Sequence, residues 1–68
     1  MEEKKNFGLF IIKKRKAAGL TQHELANRLY ITESAVSKWE RGLSYPDITL
    51  IAPICKELNI SEHELITA

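Results

Sequence analysis

Sixty-eight residues make one small domain with room for a single core. At 44% apolar residues the chain is too rich for a disordered segment, and its longest apolar run, Leu9 to Ile12, is far too short to span a membrane. A net charge of +1 does not by itself point to nucleic acid, but residues 1–45 hold nine Lys/Arg against five Asp/Glu (+4) while residues 46–68 hold one against four (−3). That asymmetry suits a face that meets an anion. Lysines spread through residues 1–16, with no apolar h-region, argue against a signal peptide and make the cytoplasm the default expectation. The single cysteine, Cys55, excludes an internal disulfide and a zinc knuckle. With His23 and His63 far apart in sequence, neither metal nor cofactor is expected. Helix packing and dimerisation are then what remain to stabilise so small a fold.

The first helix is expected from Asn6, as N-cap, to Ala18, with Phe7, Phe10, Ile11 and Ala18 inward and residues 1–5 left as a flexible arm. Lys13, Lys14, Arg15 and Lys16 crowd its end, where cations suit the helix dipole, and Gly19 stops it. This run reads either as an anion-facing cluster or as a solvated helix face. Thr21-Gln22-His23-Glu24 is a capping box that opens a second helix reaching Leu29, with Leu25, Ala26 and Leu29 inward. After the tight connection Tyr30-Ile31, Thr32 caps a third helix from Glu33 to Arg41, with Val36, Trp39 and Glu40 turned inward and Gly42 ending it.

A turn at residues 43–46 leads to a fourth helix between Asp47 and Leu58, whose inner face carries Ile48, Ile51, Ile54, Cys55 and Leu58. Pro53 cannot donate to a mid-helix hydrogen bond, so the regular helix either starts near Thr49 or Leu50 or kinks. Ser61-Glu62-His63-Glu64 is a second capping box, opening a fifth helix through Leu65. No period-two pattern appears, so the fold is all-α: a compact bundle of five short helices forming one domain over residues 1–68. Such a bundle leaves no interior for a catalytic pocket, and no enzymatic function is expected. Trp39 and Cys55 read as core residues, and Glu24 and Glu64 as caps rather than acid–base groups.

Two short helices joined by three or four residues outline a helix-turn-helix. On the second of them Glu33, Ser34, Ser37 and Lys38 lie between the inward positions, and each can hydrogen-bond to a base edge. The runs Leu20–Ala26, Ser34–Gly42 with Pro46, and Ile60–Leu65 resemble the phage-repressor and Cro type of helix-turn-helix domain, the Xre family. The resemblance covers about residues 7–66. It implies a sequence-specific regulator, a repressor, bound to double-stranded DNA as a homodimer on a two-fold related operator.

Position by position, it implies that the third helix is the recognition helix, with Glu33, Ser34 and Lys38 at base edges and Ser37 on the same side. Gln22, Thr21, Thr32, Arg41 and Ser44 match phosphate contacts, and Arg15 with Glu40 matches an ion pair joining the first and third helices. Tyr30 departs from the pattern by standing where the family usually has glycine. The dimer surface is expected around helices 4 and 5, including Leu58, Ile60 and Ile66. A reading of another class is a protein–protein module on the same fold, such as an antitoxin or an adaptor.

Overall fold

The computed structural model describes residues 2–68 and contains no strand among them. Helix α1 spans Glu2–Ala17, α2 Gln22–Leu29 and α3 Glu33–Glu40. A 3-10 turn over Ile48–Leu50 then leads into α4, Ile51–Leu58, and α5 covers Glu62–Ile66. No helix among the described residues is long and apolar enough to cross a membrane.

Helix α1 starts four residues earlier than the sequence implied. Residues 2–5, expected as an arm, form its first turn, and Asn6 lies inside the helix instead of capping it. The cause is tertiary: the Lys4 ammonium stands 5.9 Å from the centre of the Tyr45 ring, and Lys5 packs along Gly42. Met1 lies outside the described residues. At the other end the helix stops at Ala17, and Ala18, expected inward, is exposed in the turn that Gly19 closes at φ +75°.

All five helices contribute to one core: Phe7 and Ile11 from α1, Leu25, Ala26 and Leu29 from α2, Val36 and Trp39 from α3, Ile54, Cys55 and Leu58 from α4, and Leu65 from α5. Truncating a fully buried residue such as Ile11 or Leu25 to alanine costs about 2–5 kcal/mol. A domain this size holds only about 3–5 kcal/mol in total, so every layer is needed. Burial pushes the Cys55 thiol pKa upward, and the Glu62 and Glu64 carboxylates add to the shift.

Pro53 is the third residue of α4, where its missing N–H belongs to the first turn and would have no intrahelical partner anyway. The earlier turn is 3-10, so the apolar spacing there does not extend the inner face of α4. Ile48, expected inward, is 82% exposed. Leu58, expected at a dimer surface, is instead part of the core, while Ile60 is half-buried and Ile66 is exposed.

Candidate nucleic-acid interface

Helix α2 starts on a complete capping box. The Glu24 N–H donates to Thr21 Oγ1 at 3.0 Å, and the Thr21 N–H donates to Glu24 Oε1 at 2.8 Å. The second bond holds the Glu24 carboxyl below its ordinary pKa, with the Thr21 hydroxyl contributing. At the other end Tyr30 adopts the left-handed conformation, φ 59° and ψ 39°. The Ile31 N–H donates back to the Ala26 carbonyl at 3.0 Å, which reverses the chain within two residues. Thr32 then caps α3 by accepting from the Ala35 N–H at 3.2 Å. Tyr30 therefore does the backbone work of a glycine while its ring stands 95% exposed.

One carboxylate ties this unit to α1. Glu40, buried at the end of α3, accepts from Arg15 Nε at 2.6 Å and from Arg15 Nη2 at 3.2 Å. Gln22 Nε2 donates to the same carboxylate at 2.8 Å, and Arg15 Nη1 donates to the Leu20 carbonyl at 2.8 Å. Three side chains from three helices thus meet at one point, and no buried side-chain polar atom among the described residues lacks a partner. An anion buried this way is stabilised only while its donors remain.

On the outer surface Glu33, Ser34 and Lys38 are exposed along α3, and Ser37 is half-buried. Ser37 is engaged: Arg41 Nε donates to its Oγ at 3.1 Å and to its carbonyl at 3.3 Å, which lays the guanidinium along the flank of α3. Glu33 faces His23 across the junction, with Nδ1 3.6 Å from Oε1. Gln22 is half-buried, its amide nitrogen directed by Glu40, while Thr21 and Thr32 stand exposed at the N-termini of α2 and α3. Ser44 is half-buried in the loop after α3. Among the described residues no three His, Cys, Asp or Glu side chains come together as a metal site.

Three features lie beyond the motifs read from the sequence. The Gln22–Glu40 bond spans 18 residues, and the His23–Glu33 pair joins two helices; no local spacing announces either. Gly8 is the third. A Cβ at that position would lie 2.6 Å from the Trp39 carbonyl oxygen and 2.7 Å from that of Glu40, so only glycine lets α1 lie directly on the last turn of α3. A lone glycine within an apolar helical stretch was the available clue.

An α2–turn–α3 unit whose second helix turns a polar face outward, clamped from behind by a third helix, defines a helix-turn-helix domain. The helix-turn-helix family matches residues 11–65, and the chain belongs to it. The chain is similar to the crystal structure of the restriction-modification controller protein C.AhdI from Aeromonas hydrophila, with a TM-score of 0.87 and 29% identity over 96% of this chain and 98% of that one. It is also similar to the clp gene regulator ClgR from Corynebacterium glutamicum. Two structures of ClgR give TM-scores of 0.82 and 0.83, both at 25% identity over 94% of this chain, and over 82% and 68% of theirs. In sequence it is 38% identical over 53 residues to the HTH-type transcriptional activator BcrR from Enterococcus faecalis. That match covers 78% of this chain and 26% of the relative, so the chain spans about a quarter of its length.

Proposed function

We propose that this chain is a cytoplasmic, sequence-specific double-stranded DNA-binding domain of a transcriptional regulator, with α3 as its reading helix. The observation that carries this reading is the clamp of Arg15, Gln22 and Glu40 behind α3. It fixes the helix rigidly while leaving Glu33, Ser34 and Lys38 outside. A reading helix must hold its pose to discriminate bases, because a good bidentate contact is worth only about 1–3 kcal/mol.

In this reading Lys38 donates to guanine O6 and N7, Glu33 accepts from a cytosine amino group, and Ser34 and Ser37 complete the base contacts. Gln22, with its second amide hydrogen, and Thr21, Thr32, Arg41 and Ser44 hold phosphates, near helix N-termini that already favour anions. Two copies would act on a two-fold related site, since one recognition helix covers few base pairs and half-sites fall one turn of DNA, roughly 34 Å, apart. The apolar groove of about 310 Å³ lined by Phe7, Tyr45, Pro46, Ile48, Ile51, Leu65 and Ile66 supports a dimer surface there, with Ile48 and Ile66 exposed at its rim. The output proposed is repression by occupying the operator. Activation, as in the name of the BcrR relative, requires a further contact.

The competing protein–protein module is favoured only by the low net charge of +1. A selection from a randomised duplex pool at one fixed salt concentration tests both. Wild type should enrich a two-fold site with a G·C pair in each half, Lys38→Ala should relax preference at one position, and Glu33→Gln should move a neighbouring preference from C towards A. Identical enriched sequences for all three proteins would overturn the assignment of α3, and the absence of any salt-dependent duplex binding would favour the protein–protein module.

A further inference from the structure

We propose that His23 is a positioning residue for Glu33 and couples base reading at that position to proton uptake; the inference rests on the DNA-binding reading above. His23 stands in the first turn of α2, and its Nδ1 faces Glu33 Oε1, on the first residue of α3, at 3.6 Å. Its Nε2 lies 3.2 Å from the side-chain nitrogen of Asn27, one helical turn further along α2. The imidazole therefore lies between the Asn27 amide, within hydrogen-bond distance, and the Glu33 carboxylate, just beyond it. With Nε2 unprotonated, it accepts from the Asn27 amide, and the Nδ1 hydrogen is on the side of Glu33, 3.6 Å away. With Nε2 protonated, the Asn27 amide needs only to turn its oxygen round, and the Nδ1 hydrogen is still on the side of Glu33.

From α3 the charged group that meets this ring is Glu33. On α2 the neighbouring Glu24 senses the ring, but its carboxylate is turned to the Thr21 N–H. The consequence lies with Glu33, an anion on a surface that must approach phosphates. A neutral His23 orients one carboxylate oxygen and leaves the other for a base; a charged His23 also offsets the repulsion. In the free domain the pair is open to water, at 67% and 56% side-chain exposure, and is weak. A DNA duplex seated on α3 displaces that water and strengthens the pair, so DNA binding and proton binding promote each other.

Histidine is the side chain that titrates between pH 5 and 8. The chain has two histidines, and His63 lies on α5, outside the α2–α3 unit. The probes are the duplex enriched from the randomised pool and its single-base variants at the position sensitive to Glu33→Gln. Binding is measured at about pH 6 and about pH 8, at constant salt. His23→Ala should reduce discrimination at that position by about 3- to 5-fold, and should reduce it no further in a Glu33→Gln background. His23→Gln, which can still donate to Glu33 but cannot titrate, should restore the discrimination. Wild type and His63→Gln should bind several-fold tighter at the lower pH, whereas His23→Gln should not. Wild-type discrimination in His23→Ala, or an undiminished pH response in His23→Gln, would overturn the inference with DNA binding itself intact. A wild-type domain that binds no duplex at either pH overturns the DNA-binding reading beneath it.

Discussion

The molecule makes the same junction twice and uses it differently each time. Helix α2 ends on Tyr30 and α4 on Asn59, at φ 59° and 56°, and in both the next residue is an isoleucine whose N–H returns 3.0 Å to a carbonyl five residues back. In each a hydroxyl residue, Thr32 or Ser61, then caps the following helix. The first junction delivers an eight-residue helix with a polar outer face; the second delivers five residues whose one buried side chain, Leu65, closes the core. Junction geometry therefore does not decide function. What separates the two is support from elsewhere: the first has the buried Arg15–Glu40–Gln22 cluster behind it, whereas α4 is linked to α2 by the exposed Arg28–Glu57 pair at 3.3 Å.

The comparison breaks most sharply at Glu40. Arg15→Met leaves that buried carboxylate with Gln22 as its remaining side-chain donor, and the loss should be about 3–5 kcal/mol, enough to unfold much of the population at 25 °C. Arg28→Met, at an exposed pair, should lose less than about 1 kcal/mol. Thermal melts followed by circular dichroism decide it; equal melting temperatures for the two variants would erase the distinction between the junctions.

A smaller effect lies in the left-handed residues themselves. A side chain in this conformation costs roughly 1–2 kcal/mol, less for asparagine, which tolerates it, and glycine recovers part of that at some expense in chain entropy. Tyr30→Gly should stabilise by up to about 1 kcal/mol, a rise of roughly 4–8 °C, and Asn59→Gly by less. Should Asn59→Gly gain more, the tyrosine must contribute something to its junction besides backbone shape.

The smallest effect lies in acid. Glu24 and Glu64 each accept the backbone N–H of their cap residue, Thr21 or Ser61, which holds both carboxyls below their ordinary pKa of about 4.5. A folded-state pKa that is depressed gives stability present above the unfolded value and lost as the pH falls through the folded one. Replacing either with glutamine should flatten part of the stability loss below about pH 4.5 and leave the neutral range nearly unchanged in slope. Urea midpoints across that range provide the check. A parallel acid limb in either variant would show that its box contributes nothing in the folded state.

Much of this organisation was legible in the sequence, because α2, α3 and α5 are bounded by local chemistry: Thr21 with Glu24, Thr32, Gly42, and Ser61 with Glu64. The start of α1 was not legible, since residues 2–5 are ordered by Tyr45 and Gly42, some forty residues away. Ile48 misled because one 3-10 turn moves an apolar residue off the face that an α-helix would give it. The polar outer face of α3 could be read from spacing alone. The Gln22–Glu40 bond behind it and the His23–Glu33 approach beside it join residues no periodicity connects.

Cys55 gives this fold an internal reporter. It is the only cysteine in the chain, it is 7% exposed in the core beneath α5, and burial keeps its thiol protonated to higher pH than an open one. Thiolate is the form that reacts with alkylating reagents, so the native domain resists them twice, by access and by protonation. Modification must then wait for α4 to part from the rest of the core. The labelling rate of a single atom, measured with and without added duplex, would report how far a bound partner suppresses openings around α4.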